Sequence, residues 1–141
     1  MKWWLFLLAF LFGCTNHSTT NNISVSLINT NHSVQIAGFD KEVINDIAQN
    51  SADSADSAWQ ALMPVYKMPV DTDMKDFQTA QPGKYSVKDS VVIFTPDTPF
   101  RKGQVYFLRS FDYNQAKDAW AFVRAQKQKG SIGHKDLLFK Y

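Results

Sequence analysis

The chain has 141 residues, 45% of them apolar and 20% charged, with a formal net charge of +2 and one cysteine. That length fits one domain able to build its own core. The near-neutral balance gives no electrostatic case for a nucleic-acid partner, and a lone cysteine excludes an intrachain disulfide.

Lys2 and the unbroken apolar run Trp3 to Phe12 open the chain. A bilayer-spanning helix needs about 20 apolar residues. This run is far shorter and reads as the greasy core of a signal peptide behind a positive start. Leu11-Phe12-Gly13-Cys14 follows and is similar to a bacterial lipobox. The resemblance implies cleavage after Gly13, residues 1–13 being a lipoprotein signal peptide, and acylation of Cys14. The first expected partner is therefore a membrane, held through that lipid. Each buried methylene contributes about 0.8 kcal/mol to such anchoring, and one chain alone holds only marginally. Thr15 to Asn22 has no apolar residue and no Lys, Arg, Asp or Glu, so 14–22 reads as lipid-attachment cysteine plus tether.

Residues 23–141 form the expected folded domain. Ile23, Val25 and Leu27 alternate with Ser24 and Ser26, a half-buried strand, and Thr30-Asn31 can turn the chain into a second strand around Val34 and Ile36. From Asp40 to Asn50 the period changes: Val43, Ile44, Ile47 and Ala48 make a helical stripe that Asp40 can cap. SADSADSA, residues 51–58, reads as a surface connection. Trp59 to Val70 reads as an edge strand interrupted near Pro64, because proline disfavours both a long helix and a central strand. Asp71 to Pro82 is polar loop.

Gly83 to Lys88 and Val91 to Thr95 then read as strands joined by Asp89-Ser90. Val105 to Phe111 is the next strand, with Val105, Phe107, Arg109 and Phe111 on one face. Asn114 to Gly130 carries the stripe Ala116, Ala119, Trp120 and Val123 and reads as a helix, loaded with Arg124, Lys127 and Lys129 toward its end. Asp136 to Tyr141 is the closing strand. About seven strands with two short helices predict a mainly β fold, an antiparallel sandwich. An α+β fold with the helices on one sheet is the alternative.

The block PGKYSVKDSVVIFTPDTPFRKGQVYFLRSF, residues 82–111, resembles bacterial Ig-like (SbsA-like) modules at Gly83, Tyr85, Val87, Phe94, Pro96, Pro99, Phe100, Gly103 and Tyr106. The whole chain is similar to small Bacteroidota lipoproteins that carry such a domain, down to the closing Asp136 to Lys140. The resemblance implies an Ig-like sandwich over 23–141, an envelope location and no established reaction. The residues after Cys14 lack an acidic run, which in that group implies the periplasmic face of the outer membrane.

No reactive constellation stands out in the sequence. His17, His32 and His134 lie in tether or turn positions, and no nucleophile signature accompanies any of them, so neither an enzyme nor a catalytic residue is expected. Asp71, Asp73 and Asp76 cluster, but Asp76 and Pro82 stand where an EF-hand loop needs Gly and Glu. A solvated acidic turn is preferred there over a calcium site between loops, and neither metal nor cofactor is expected. Asp53-Ser54-Ala55 and Asp56-Ser57-Ala58 are similar to the Asp-Ser/Thr-apolar acceptor of Bacteroidota O-glycosylation, which would make Ser54 and Ser57 modification sites. The many aromatics are expected mainly in the core, with a sugar-stacking row as the rival. The expected function is a non-enzymatic envelope lipoprotein whose domain meets another envelope protein or glycan. A glycan or small-ligand binding module is the alternative.

Overall fold

The structure, a computed structural model, describes residues 22–28, 32–50, 55–111 and 133–141. The expected signal peptide, Cys14, the tether up to residue 21, Ser54 and the helix expected at 114–130 lie outside those residues.

Among the described residues, seven strands form two antiparallel sheets. They are β1 (Ser24–Ile28), β2 (Ser33–Ala37), β3 (Val65–Lys67), β4 (Gly83–Lys88), β5 (Val91–Pro96), β6 (Val105–Phe111) and β7 (His134–Lys140). One sheet has the order β1-β2-β5-β4 and the other β3-β6-β7. The fold is mainly β and sandwich-like, as the period-two runs predict. β7 begins at His134, two residues before the expected start, and pairs with β6 along its whole length, from Val105↔Lys140 to Phe111↔His134.

The core is the shared interior of the two sheets. Val34 and Ile36 of β2 and Val92 and Phe94 of β5 meet Tyr106 and Leu108 of β6, Val65 of β3 and Phe139 of β7. Helix α1 (Lys41–Asn50) adds Val43, Ile44 and Ile47, as its stripe predicts. Rings link the layers. Phe100 stands edge-on to Tyr106 at 4.6 Å and to Phe139 at 5.4 Å, and Tyr85 tilts against Phe94 at 4.8 Å.

The stretch from Ala55 corrects the sequence reading. Residues 55–62 are not a surface connection leading into a strand but helix α2 (Ala55–Leu62), with Ala58, Trp59, Ala61 and Leu62 buried. The apolar residues recur at helical spacing, and that pattern straddles residue 58, where a boundary was expected. Pro64 then does what its ring dictates: the helix stops before it, and the extended β3 starts directly after. α2 packs on β4 and β6, and Trp59 meets Phe39 edge-on at 5.4 Å.

Two glycines are fixed by close approach. A Cβ on Gly83 would stand 2.6 Å from the Phe94 ring and 2.5 Å from the Thr95 carbonyl oxygen, so the ring lies on β4 only because that side chain is missing. Gly38 has φ +102°, and a Cβ there would stand 2.3 Å from the Asn22 carbonyl oxygen, where the chain enters β1. Asp89 and Ser90 both have positive φ, the backbone of the tight two-residue turns that match strand twist.

Candidate functional site

β6 is buried on both faces. Tyr106 and Leu108 point into the core, yet Phe107 and Arg109, on the opposite face by alternation, are also buried. Their cover is a 3-10 helix (Thr72–Phe77) within what the sequence predicts as polar loop. Asp71 caps it by accepting from the Asp73 backbone N–H at 3.0 Å, the job short acidic side chains do at helix starts.

Underneath this cover lies a charge network. Arg109 donates from Nε to Asp136 Oδ1 at 2.8 Å and from Nη2 to Asp136 Oδ2 at 3.0 Å, a bidentate clamp between β6 and β7. Its Nη2 also donates to Asp76 Oδ1 at 2.7 Å, and Lys75 Nζ reaches Asp136 Oδ2 at 2.7 Å. Lys75 sits 4.7 Å over the Phe107 ring, which stacks on Tyr66 at 5.0 Å. The Arg109 guanidinium lies 5.5 Å from Phe107 and 5.7 Å from Tyr66, favourable places for a cation against an aromatic face.

The electrostatics hold Arg109, Asp136 and Tyr66 in fixed states. Burial opposes the charge on Asp136, but hydrogen bonds from Arg109 and Lys75 more than offset it and keep the carboxyl below its ordinary range. The Asp136 hydrogen bond pushes Arg109 further up against the opposing effect of burial. Burial raises the Tyr66 phenol, with the Arg109 charge acting the other way. A locked cation, a locked carboxylate and a neutral phenol are not poised to exchange a proton near neutral pH. The network is a clasp that fastens the 3-10 helix to the β3-β6-β7 sheet.

The other singled-out residues are dispersed. His32 shares a hydrogen bond with the Tyr141 hydroxyl, whereas His134 stands edge-on to Phe111 at 5.9 Å, at the opposite end of β7. Asp71 serves as a cap and Asp76 pairs with Arg109, so the acidic cluster does not converge. Among the described residues no group of three or more His, Cys, Asp or Glu is disposed to hold a metal ion. Ser57 is exposed in the first turn of α2, on a helix rather than the expected loop. Its neighbour Asp56 accepts from the Tyr85 backbone N–H at 2.7 Å. Trp59, Tyr85, Phe94, Phe100, Tyr106, Phe107 and Phe111 are buried. Tyr113, Trp120, Phe122 and the basic residues Arg124, Lys127 and Lys129 fall outside the described residues; Lys135 and Lys140 are exposed on β7.

Sequence reasoning missed the exposed aromatic. Phe77 is 76% exposed and Met74 48%, both on the 3-10 helix, with Val70 fully exposed just before it. The available signal was the isolated Phe in an otherwise polar stretch. No helix among the described residues is long and apolar enough to cross a membrane. The chain matches no family model, no curated protein and no solved structure.

Proposed function

We propose that this chain is a non-enzymatic, lipid-anchored envelope protein that presents an Ig-like domain to another envelope macromolecule. The observation that carries the domain reading is the strand order. Lettered along the chain, β1-β2-β5-β4 and β3-β6-β7 become ABED and CFG, the arrangement of constant-type Ig sandwiches. A second feature supports it. Tyr106, second residue of the sixth strand, accepts at its hydroxyl from the Arg101 backbone N–H at 2.9 Å, five residues upstream. That is the placement of the tyrosine corner in such folds. The helices α1 and α2 between the second and third strands are a departure from the plain sandwich.

The anchor rests on the sequence Leu11-Phe12-Gly13-Cys14. Acyl chains on Cys14 and a short polar tether would hold a β domain beside a bilayer, here the periplasmic face of the outer membrane. Its role there is contact with another envelope macromolecule. The test is Cys14→Ser in cells fed labelled palmitate. The native chain takes up label and sediments with membranes; the variant does neither and, if the signal is still processed, becomes soluble. A native chain that stays unlabelled overturns the anchored reading.

A further inference from the structure

Of the large apolar side chains exposed among the described residues, Val70, Met74 and Phe77 fall within residues 70–77. On a 3-10 helix, residues three apart eclipse one another. Met74 and Phe77 therefore stand in one row, and Thr72 and Lys75 in another. Lys75 is directed inward, onto Asp136 and the Phe107 ring, which turns the Met74–Phe77 row outward. The row is held rigidly: Asp71 caps the start, Gln78 Nε2 donates to the Met74 carbonyl at 2.9 Å, and Asp76 is fastened to Arg109. Apolar side chains fixed in water on a braced segment are an arrangement that a partner's surface can cover at little ordering cost.

Charge narrows the kind of partner. Asp71 and Asp73 are exposed beside the row, while Lys75, the one cation within residues 70–77, is committed below it. An anionic rim repels the headgroups of an acidic bilayer and complements Lys or Arg. We propose that residues 70–77 are the docking element of this domain, with Met74 and Phe77 entering an apolar pocket on a partner protein bordered by Lys or Arg. This rests on the reading of the domain as a presented binding module.

The test uses the full-length chain in cells, with photoreactive p-benzoylphenylalanine replacing Phe77 or, as a control, Val87, an exposed apolar residue on the other sheet. Adducts are mapped to the crosslinked peptide by mass spectrometry. The expected result is an adduct from position 77 to a peptide with apolar residues flanked by Lys or Arg, and little from position 87. Asp73→Lys, which leaves the Asp71 cap in place, should lower the yield about tenfold, and its unchanged thermal midpoint shows that it folds. Adducts to lipid, to a second copy, or to residues 112–132 of the same chain overturn the proposal, as does a yield indifferent to Asp73→Lys. Adducts from 87 but not 77 sink the docking element and leave the binding-module reading standing. No adduct from 77, from 87, or from the same probe placed at exposed Ser26 or Lys84 sinks both.

Discussion

Tyr85 shows how much one side chain can hold together. Its hydroxyl donates to the Met63 carbonyl at 2.9 Å, its backbone N–H donates to Asp56, and its ring lies on Phe94 over the gap left by Gly83. One residue thus ties β4 to both the start and the exit of α2. Tyr85→Phe leaves a buried carbonyl without its donor and should lower stability by about 1–2 kcal/mol, read from urea unfolding near pH 8. Burial, reinforced by the neighbouring Tyr66 and Asp56, raises the phenol well above its ordinary value. The folded state keeps this proton while the unfolded phenol loses it near pH 10. Stability is therefore full below about pH 10 and falls as pH rises beyond it. The Phe variant should lack that part of the alkaline decline. The alternation of Tyr85 and Val87 made the strand legible, and Asp89-Ser90 announced its turn. The hydroxyl's partner was not legible, because Met63 lies in a segment whose helical stripe crossed an expected boundary.

At the scale of elements, the instructive case is β6 with its 3-10 cover. A strand buried on both faces is normally apolar throughout, yet β6 carries Arg109 at 8% exposure. The sequence placed Arg109 on the face of Phe107 but gave no sign of what lay above, since Thr72 to Phe77 has the polar composition of an open loop. Its structure comes from long-range pairing of Lys75 and Asp76 with β6 and β7, which no local pattern encodes. Removing Asp136 should release this cover. Asp136→Ala strands a buried guanidinium with only Asp76 and should cost about 2–3 kcal/mol, measured by chemical denaturation. Replacing Arg109 and Asp136 together with apolar residues of similar size should recover much of that loss. The carboxyl's depressed pKa means that its contribution is present above about pH 4 and disappears as pH falls below it. Asp136→Asn should accordingly flatten the acid limb of the stability curve. α2 makes the complementary point: its Ala58, Trp59, Ala61, Leu62 pattern was present in the sequence, but a short apolar run before Pro64 fits helix and strand alike.

Across the whole molecule, the two sheets are joined by more than the apolar core. β1, at the edge of one sheet, lies beside β7, at the edge of the other, and the His32–Tyr141 hydrogen bond closes the end of that seam. Tyr141 is itself held by backbone bonds with Gly103 and Gln104. His32→Ala should cost about 0.5–1 kcal/mol, with faster amide exchange confined to the end of β7 as the measurement that separates a local clasp from a global loss. The number of strands and a sandwich follow from short period-two runs at regular spacing, whereas sheet membership and strand order emerge only in the structure. The lateral seam emerges there too, because His32 and Tyr141 come together only once both sheets exist.

Gly38 bears on how such a domain would carry mechanical load. The carbonyl of Asn22 occupies the space a Cβ on Gly38 would need, so the chain enters β1 packed against the residue that follows β2. Tension arriving from a moored amino terminus would run along the axis of β1. Every rung from Ser24↔Ala37 to Ile28↔Ser33 would share that pull at once, in shear, rather than opening one after another like a zip.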